Sequence, residues 1–441
     1  MSARTIAFAV LRRVEEGGAY ASRALDAALA EAGALDPRER ALATELVYGT
    51  LRRSLQLDAA LAPHSRRALL DLDPPARVAL RLGAYQLLFL RTPPHAAVAE
   101  AVELAKKVEH GRAAGYVNAV LRALARAPSR PAGPPESVDP EGHLALAESL
   151  PRWLVEEWSA WLGLAETRRL AAAMNEPAPL VLRSPRRDEL LERLRQSHVR
   201  ARATALSPHG VAVEGASVDE VARAARGLAF QVQDESAQLV TLYAASELTG
   251  VKARVLDLCA APGGKAFHLA EILAGGSEVV AVELHPGKAE ALRRAAEARG
   301  FAQVRVLCAD GAKPLPGLEP RSFDAVLVDA PCAGLGTLRR HPELRVRRAR
   351  EDLPRFAALQ EELVVNALGY ARPGAPVTYS VCSLSRAEGP GVVARLLGRG
   401  VRRAPSPAGL PAGLLGAEGE LLLLPHRHGG DGFYAARLVG A

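Results

Sequence analysis

Apolar residues recur at helical spacing from the start of the chain, with Ile6, Val10 and Val14 on one face, and a pattern of that period predicts amphipathic helices over residues 1–127. Asp36-Pro37-Arg38-Glu39 has the form of a helix start, an N-cap followed by Pro at the first position and Glu at the third, and it leads into Leu42 and Leu46. A second start follows at Asp73-Pro74, ahead of Val78, Leu82 and Tyr85. Pro128, Pro131, Gly133, Pro134, Pro135, Pro140 and Gly142 then crowd into residues 128–142, so a linker is expected there, closing the first domain. Residues 143–235 read as helices around Trp153, Trp158 and Trp161 followed by a small α+β module. Its strand-like runs are Leu180 to Arg183 and Val211 to Val213, with a helix near Leu190 to Leu194. The three Trp sit at helical spacing, which favours a core role over a base-stacking one.

From Ala253 the period changes. Short apolar runs at Val255-Leu256, Val279 to Val282, Val304 to Leu307, Ala325 to Val328 and Val377 to Val381 alternate with amphipathic helices, the pattern of an α/β doubly wound parallel sheet. Two further strands, Leu421 to Leu424 and Tyr434 to Val439, flank the turn residues His428-Gly429-Gly430-Asp431-Gly432 and suggest a hairpin at the sheet edge. The predicted architecture is a Rossmann-like domain over residues 236–441 with a mixed seven-stranded sheet, preceded by the helical domain and the small module. Three domains suit a chain of 441 residues that is 49% apolar.

Charge and cysteine usage narrow the picture. No apolar stretch is long enough to span a membrane, and the first residues lack the layout of a secretory signal, so a soluble cytoplasmic protein is expected. The four cysteines, Cys259, Cys308, Cys332 and Cys382, form no Cys-x-x-Cys pair, which argues against zinc ribbons and a disulfide framework; no metal is expected. The net charge of +7 permits a polyanionic partner without demonstrating one. Only Lys106, Lys107, Lys252, Lys265, Lys288 and Lys313 are Lys, so a bias toward Arg across the chain accounts for part of the basic character. Paired arginines at Arg12-Arg13, Arg52-Arg53 and Arg66-Arg67 fit either a solvated or a phosphate-contacting face.

The first sheet strand runs into Asp257-Leu258-Cys259-Ala260-Ala261-Pro262-Gly263-Gly264-Lys265 and then a helix. Small residues at the carboxyl end of a strand let backbone approach a ligand in the crevice where such sheets bind. Glu283, nineteen residues after Gly264, ends the second strand where a carboxylate accepts bonds from both ribose hydroxyls. Asp310 follows the third strand and would meet an adenine, its bland alternative being an ordinary Asp-Gly turn. The turn is not Gly-x-Gly-x-x-Gly and no Gly-Lys-Ser/Thr loop exists, so S-adenosyl-L-methionine, with ribose and adenine but no phosphate, fits better than a nicotinamide or a nucleoside triphosphate. Two cysteines then stand at the ends of adjacent predicted strands, in Asp329-Ala330-Pro331-Cys332 and Tyr379-Ser380-Val381-Cys382-Ser383. Thiols placed there suit methylation of carbon 5 of cytosine, which is a poor nucleophile until a thiolate adds to carbon 6.

These three motifs resemble those of the Sun family of RNA 5-methylcytosine methyltransferases, and the likeness runs over essentially the whole chain. Gln233-Asp234-Glu235-Ser236-Ala237-Gln238, Arg339-Arg340-His341-Pro342-Glu343 and Asp431-Gly432-Phe433-Tyr434 resemble further blocks of that family. The helical N-terminus, with Tyr116-Val117-Asn118-Ala119-Val120-Leu121-Arg122, is similar to the NusB-like RNA-binding domain of its RsmB type. The resemblance implies Cys382 as nucleophile, Cys332 as the thiol that assists release, and Asp329 at the base edge. It implies S-adenosyl-L-methionine held by Cys259, Ala260, Ala261, Pro262, Gly263, Gly264, Lys265, Glu283, Asp310 and Asp329, with an RRM-like small module. The implied substrate is 16S ribosomal RNA at a site of the 967 type, free or partly assembled; a monomer without membrane or metal partners is expected. Ala333, Val381 and Gly389 stand where the family prefers Ser, Thr and Asn, which touches fine positioning only. Arg339, Arg340, Arg345, Arg347, Arg348 and Arg350, just after the Cys332 loop, are expected to grip substrate phosphates. Two rival functions remain: a transfer RNA methyltransferase, and a ribosome assembly factor that binds RNA without catalysis.

Overall fold

The N-terminal third of the chain is helical in the computed structural model, which describes residues 1–107, 113–131, 133–411 and 413–440. Seven α-helices, Ala3–Gly17, Ala21–Glu31, Pro37–Arg52, Ser54–Leu61, Pro74–Phe89, Pro94–Lys106 and Ala114–Arg126, enclose a core that includes Ile6, Leu46, Leu57, Leu82, Val117 and Leu121. The third helix starts as its sequence dictates: Pro37 occupies the first turn and the Asp36 carboxylate accepts the Arg38 N–H at 2.7 Å. Close helix approach is bought with glycine at residue 49, where a Cβ would lie 2.1 Å from the Tyr85 ring.

This compact unit does not end at the Pro- and Gly-rich stretch. It comprises Met1–Glu176 together with Leu338–Arg348. The stretch is held against the helices, with Arg130 donating to the Leu88 carbonyl at 2.8 Å and Gln56 to that of Pro131 at 3.0 Å; Ala132 lies outside the described residues. A helix, Pro140–Ala147, begins before the expected end of the linker because Asp139 caps it, accepting the Gly142 N–H at 2.9 Å. Trp158 is fully buried in the following helix, Arg152–Leu162, while Trp153 and Trp161 are half-buried.

The second unit, Pro177–Thr337 with Ala349–Ala441, holds two sheets. Strands β1 (Leu180–Arg183), β2 (Arg200–Ala203), β3 (Gly210–Glu214) and β4 (Gln231–Val232) form an antiparallel sheet of order β2-β3-β1-β4 with helices Arg187–Gln196 and Val218–Ala224. The larger sheet contains β5 (Arg254–Asp257), β6 (Glu278–Glu283), β7 (Val304–Cys308), β8 (Ala325–Asp329), β9 (Val377–Val381), β10 (Arg402–Arg403), β11 (Leu421–Leu423) and β12 (Phe433–Val439). Its path is β10-β12-β9-β8-β5-β6-β7, with β11 pairing beside β12; seven of these eight strands match the expected runs, and the two-residue β10 is the addition. Strands β5 to β9 are parallel, and β12 runs antiparallel to β9. One face packs Leu239, Phe267 and Leu292 against Val279 and Leu327, and the other packs Leu363, Val364 and Val393 against Val326 and Tyr379. Sheet order reverses between β5 and β8, so the carboxyl ends of these strands, at Asp257 and Asp329, open onto the crevice where such folds bind ligands. Among the described residues no helix is long and apolar enough to cross a membrane.

Candidate active site

The loop after β5 is shaped by the small residues in it. Gly263 has φ +109°, and a Cβ there would lie 2.5 Å from Leu292 and 2.7 Å from the Phe267 ring, so glycine alone fits. The peptide Ala261-Pro262 is cis. Helix Gly264–Ile272 begins immediately. Asp257, at the strand end, is buried, and its carboxylate oxygens make no well-formed hydrogen bond, the Cys259 N–H reaching them only weakly. Burial, then the nearby Asp329 charge, raise its pKa to about 7, opposed by Lys265 and the Cys259 N–H. An orphaned buried carboxylate welcomes a cationic or hydrogen-bond-donating ligand.

Glu283 ends β6, is 8% exposed, and accepts the His285 N–H at 2.8 Å. Asp310, half-buried past β7, accepts the Ala312 N–H at 3.0 Å and faces Lys313 at 3.4 Å, so it also serves its own turn. Lys265 reaches back from the first helical turn to Asp329, Nζ to Oδ2 2.6 Å, and lies over the Phe433 ring at 5.1 Å from the centroid. Burial works against the Lys265 charge, but the Asp329 carboxylate outweighs it and the pKa is raised. The other Asp329 oxygen accepts the Ser380 hydroxyl at 2.8 Å across the β8–β9 pair.

Cys332 and Cys382 meet, Sγ to Sγ 3.4 Å. Their loops are tied by Glu388, fully buried, which accepts the Ala333 N–H at 2.8 Å, the Gln360 amide at 3.1 Å and the Ser383 hydroxyl. Gln360 also donates to the Pro331 carbonyl at 2.9 Å and accepts the Tyr379 hydroxyl at 2.9 Å. The Cys382 carbonyl accepts the Gly336 N–H at 3.0 Å, and the Gly336 carbonyl the Gly432 N–H at 2.8 Å. The hydrogen bond to Cys382, burial, and the charges of Glu388 and Asp329 push the Cys332 thiol well up, so it stays protonated. Burial and the flanking carboxylates do the same to Cys259. Cys308 is exposed.

Every candidate residue of the two cysteine motifs and the glycine turn therefore lies at the carboxyl edge of the sheet. Glu388, Gln360, Tyr379 and Ser380 escape a reading by motif; the signal for Glu388 is a lone acid six residues past Cys382 beside a predicted strand end. Two members of the arginine run, Arg345 and Arg347, are a correction. Arg345 is 1% exposed, and its guanidinium donates to the carbonyls of Arg52, Glu148, Ser149 and Met174 and to the Asn175 side chain, at 2.7 to 3.2 Å. Burial, with Arg53 and Arg52 near, lowers its pKa to about 9. Arg347 donates to the carbonyls of Gly18 and Ala19 at 2.9 and 2.7 Å. A side chain spent on backbone carbonyls grips no phosphate. Among the described residues no group of three or more His, Cys, Asp or Glu side chains is placed to hold a metal ion.

The doubly wound sheet, with β12 antiparallel beside β9 and acids at the strand ends, defines a class I methyltransferase fold. Residues 249–439 match the model of 16S rRNA methyltransferase RsmB/F, residues 1–126 that of the NusB family, and residues 150–219 that of the RsmF/B-like ferredoxin-like domain. The chain is 40% identical over 436 residues to ribosomal RNA small subunit methyltransferase B of Thermus thermophilus, covering 99% of this chain and 97% of the relative. With the protein of that description from Pseudomonas syringae it shares 32% identity over 452 residues, covering 100% and 97%. The crystal structure of PH0851 matches with a TM-score of 0.85 at 23% identity, covering 100% of this chain and 99% of that one, a likeness of fold. NSun6 from Pyrococcus horikoshii, solved with SFG, matches at a TM-score of 0.55 and 19% identity, covering 66% and 98%. The chain belongs to the RsmB/F family of 16S ribosomal RNA methyltransferases.

Proposed function

We propose that this protein methylates carbon 5 of one cytosine in 16S ribosomal RNA, the 967-type site, through a covalent bond between Cys382 and the base. The observation that carries the reading is the thiol pair: two sulfurs 3.4 Å apart, of which Cys332 is held protonated. Cys382, in the Tyr379–Ser383 segment whose motif resembles the family's nucleophile motif, is the attacking sulfur in this reading. The donors present suit S-adenosyl-L-methionine: Glu283 for the ribose, Asp310 for the adenine, the Cys259–Lys265 backbone close to the ligand, and orphaned Asp257 for its cationic portion. Bound there, it supplies an electrophilic methyl group.

The chain's own residues do the rest. The Cys382 thiolate adds to carbon 6, and the electron pair of the 5,6 double bond moves toward ring nitrogen 3, making carbon 5 nucleophilic. Asp329, ion-paired with Lys265, accepts N–H bonds at the base edge and favours a proton on nitrogen 3. After carbon 5 gains its methyl group, solvent water takes its proton, the C–H electron pair re-forms the 5,6 double bond, the Cys382–carbon 6 bond breaks with its pair on sulfur, and the nitrogen 3 proton returns to solvent. Cys332, beside the sulfur being expelled, assists that release. The helical domain, residues 1–127, serves RNA affinity, and the catalytic domain, residues 236–441, works in the cytoplasm on free or partly assembled RNA. Mapping 5-methylcytosine in ribosomal and transfer RNA from cells with and without the protein tests this. Loss of one 16S position is expected; loss confined to transfer RNA, or no loss, would overturn it.

A further inference from the structure

The small sheet has one face covered by its own helices, where Leu182, Val211 and Val213 meet Leu190, Leu194 and Val221. The opposite face is the one on which an RRM-like module would stack bases. Its strand residues here, Val181, Arg183, Arg200, Arg202 and Ala212, include no aromatic ring. Arg183 points from β1 into the catalytic part of the same compact unit and is 1% exposed. Its guanidinium grips Glu271 with two bonds, 2.8 and 2.9 Å, and donates to the Gly264 carbonyl at 2.7 Å and to Gln233.

Gly264 and Glu271 are the ends of one stripe on helix Gly264–Ile272, two turns apart. Between them, one turn from Gly264, His268 meets His209 of the small module at 2.9 Å. Burial keeps both imidazoles below their ordinary pKa, so they pair as neutral rings. A second set of contacts fixes the same two bodies: Glu235 accepts the Leu206 and Ser207 N–H groups, both at 2.7 Å, and Gln238 donates to the Leu182 carbonyl at 3.3 Å. The helix so gripped begins at the glycine turn, and its next residue, Lys265, holds Asp329.

We propose that Arg183 is a positioning residue of the S-adenosyl-L-methionine loop, and that the small module sets the start of helix Gly264–Ile272. The proposal rests on reading Cys259–Lys265 as the cofactor loop. A planar guanidinium bridges a carboxylate and a carbonyl two turns apart, whereas a Lys ammonium reaches one of them. Calorimetric titration of S-adenosylhomocysteine into the full chain tests it. Arg183→Lys should raise Kd roughly tenfold, the loss of about one charge-assisted bond, and Glu271→Gln about threefold by the same reasoning. Binding of 16S RNA should stay within about twofold in both, since neither side chain is exposed to a polyanion. A lowered melting temperature with unchanged cofactor affinity in Arg183→Lys and Glu271→Gln would make Arg183 merely structural and overturn the proposal. Glu283→Ala serves as the reference. If it weakens binding while the other two do not, only this proposal falls; if none of the three weakens binding, the cofactor-site reading falls with it.

Discussion

Replacing Glu388 with Gln changes one buried atom behind the two thiols. The carboxylate accepts from Ala333, Gln360 and Ser383, and so joins the Cys332 loop, the helix Leu353–Leu368 and the Cys382 loop. A Gln keeps one acceptor oxygen for Ala333 and Gln360 and turns an N–H₂ toward the Ser383 hydroxyl, which can reverse its role and accept, so the contacts survive without the negative charge. The loss is then the charge assistance of three buried bonds, about 2 to 3 kcal/mol. If the network's task is to hold the thiols together in the transition state, that energy appears as a single-turnover rate lowered roughly 30- to 150-fold. Cofactor affinity should be unaffected, because Glu388 lies outside the glycine turn. The charge of Glu388 also helps keep Cys332 protonated, so its removal should lower the pKa of that thiol. Rapid-quench methyl transfer to a 16S RNA fragment, with S-adenosylhomocysteine titrated in parallel, measures both. A variant that folds, binds cofactor and transfers methyl at the full rate would refute the idea that Glu388 organises the pair.

Two further outcomes follow. Asp257 has a folded pKa of about 7 against an ordinary 3.8, so the cofactor-free protein takes up this proton more readily than the unfolded chain; the stability it contributes is present below about pH 4 and drains away as pH rises to about 7. A cation bound beside it should expel the proton, so S-adenosyl-L-methionine binding should release up to about one proton below pH 7, seen as a heat that depends on the buffer's ionisation enthalpy and absent in Asp257→Asn; a buffer-independent heat in the unaltered protein would contradict the assignment. Arg345→Ala takes the guanidinium from the Asn175 side chain and from four carbonyls, of which, among the described residues, only that of Glu148 keeps another donor, the Asn175 amide; it should cost about 3 to 5 kcal/mol in urea unfolding, where an unchanged midpoint would mean those bonds carry little.

The parallel strands are legible because each is a short apolar run buried on both faces, and the site is legible because its glycine, acids and thiols fall at the ends of those runs. Strand β2 is hidden: Arg200-Ala201-Arg202-Ala203 is a mostly exposed edge held by pairing with β3 and carries no apolar run. Strands β4 and β10 are two residues long. The arginines mislead for a different reason. A basic run reads as a polyanion face, yet Arg345 and Arg347 satisfy carbonyls at helix ends and loops far away in sequence, and nothing local announces such partners. Arg183 is silent in the same way, its partner Glu271 lying 88 residues on.

The division of labour between the thiols is tested most directly by running Cys382→Ala and Cys332→Ala, each incubated with S-adenosyl-L-methionine and 16S RNA, on a denaturing gel. Cys332→Ala should accumulate a slow, nuclease-sensitive band, because it forms the bond to carbon 6 and fails to break it, while Cys382→Ala should give neither band nor methylated RNA. The reverse pattern would exchange the two roles. Turnover intact in both variants, with no band in either, would return both sulfurs to the core and contradict the covalent mechanism.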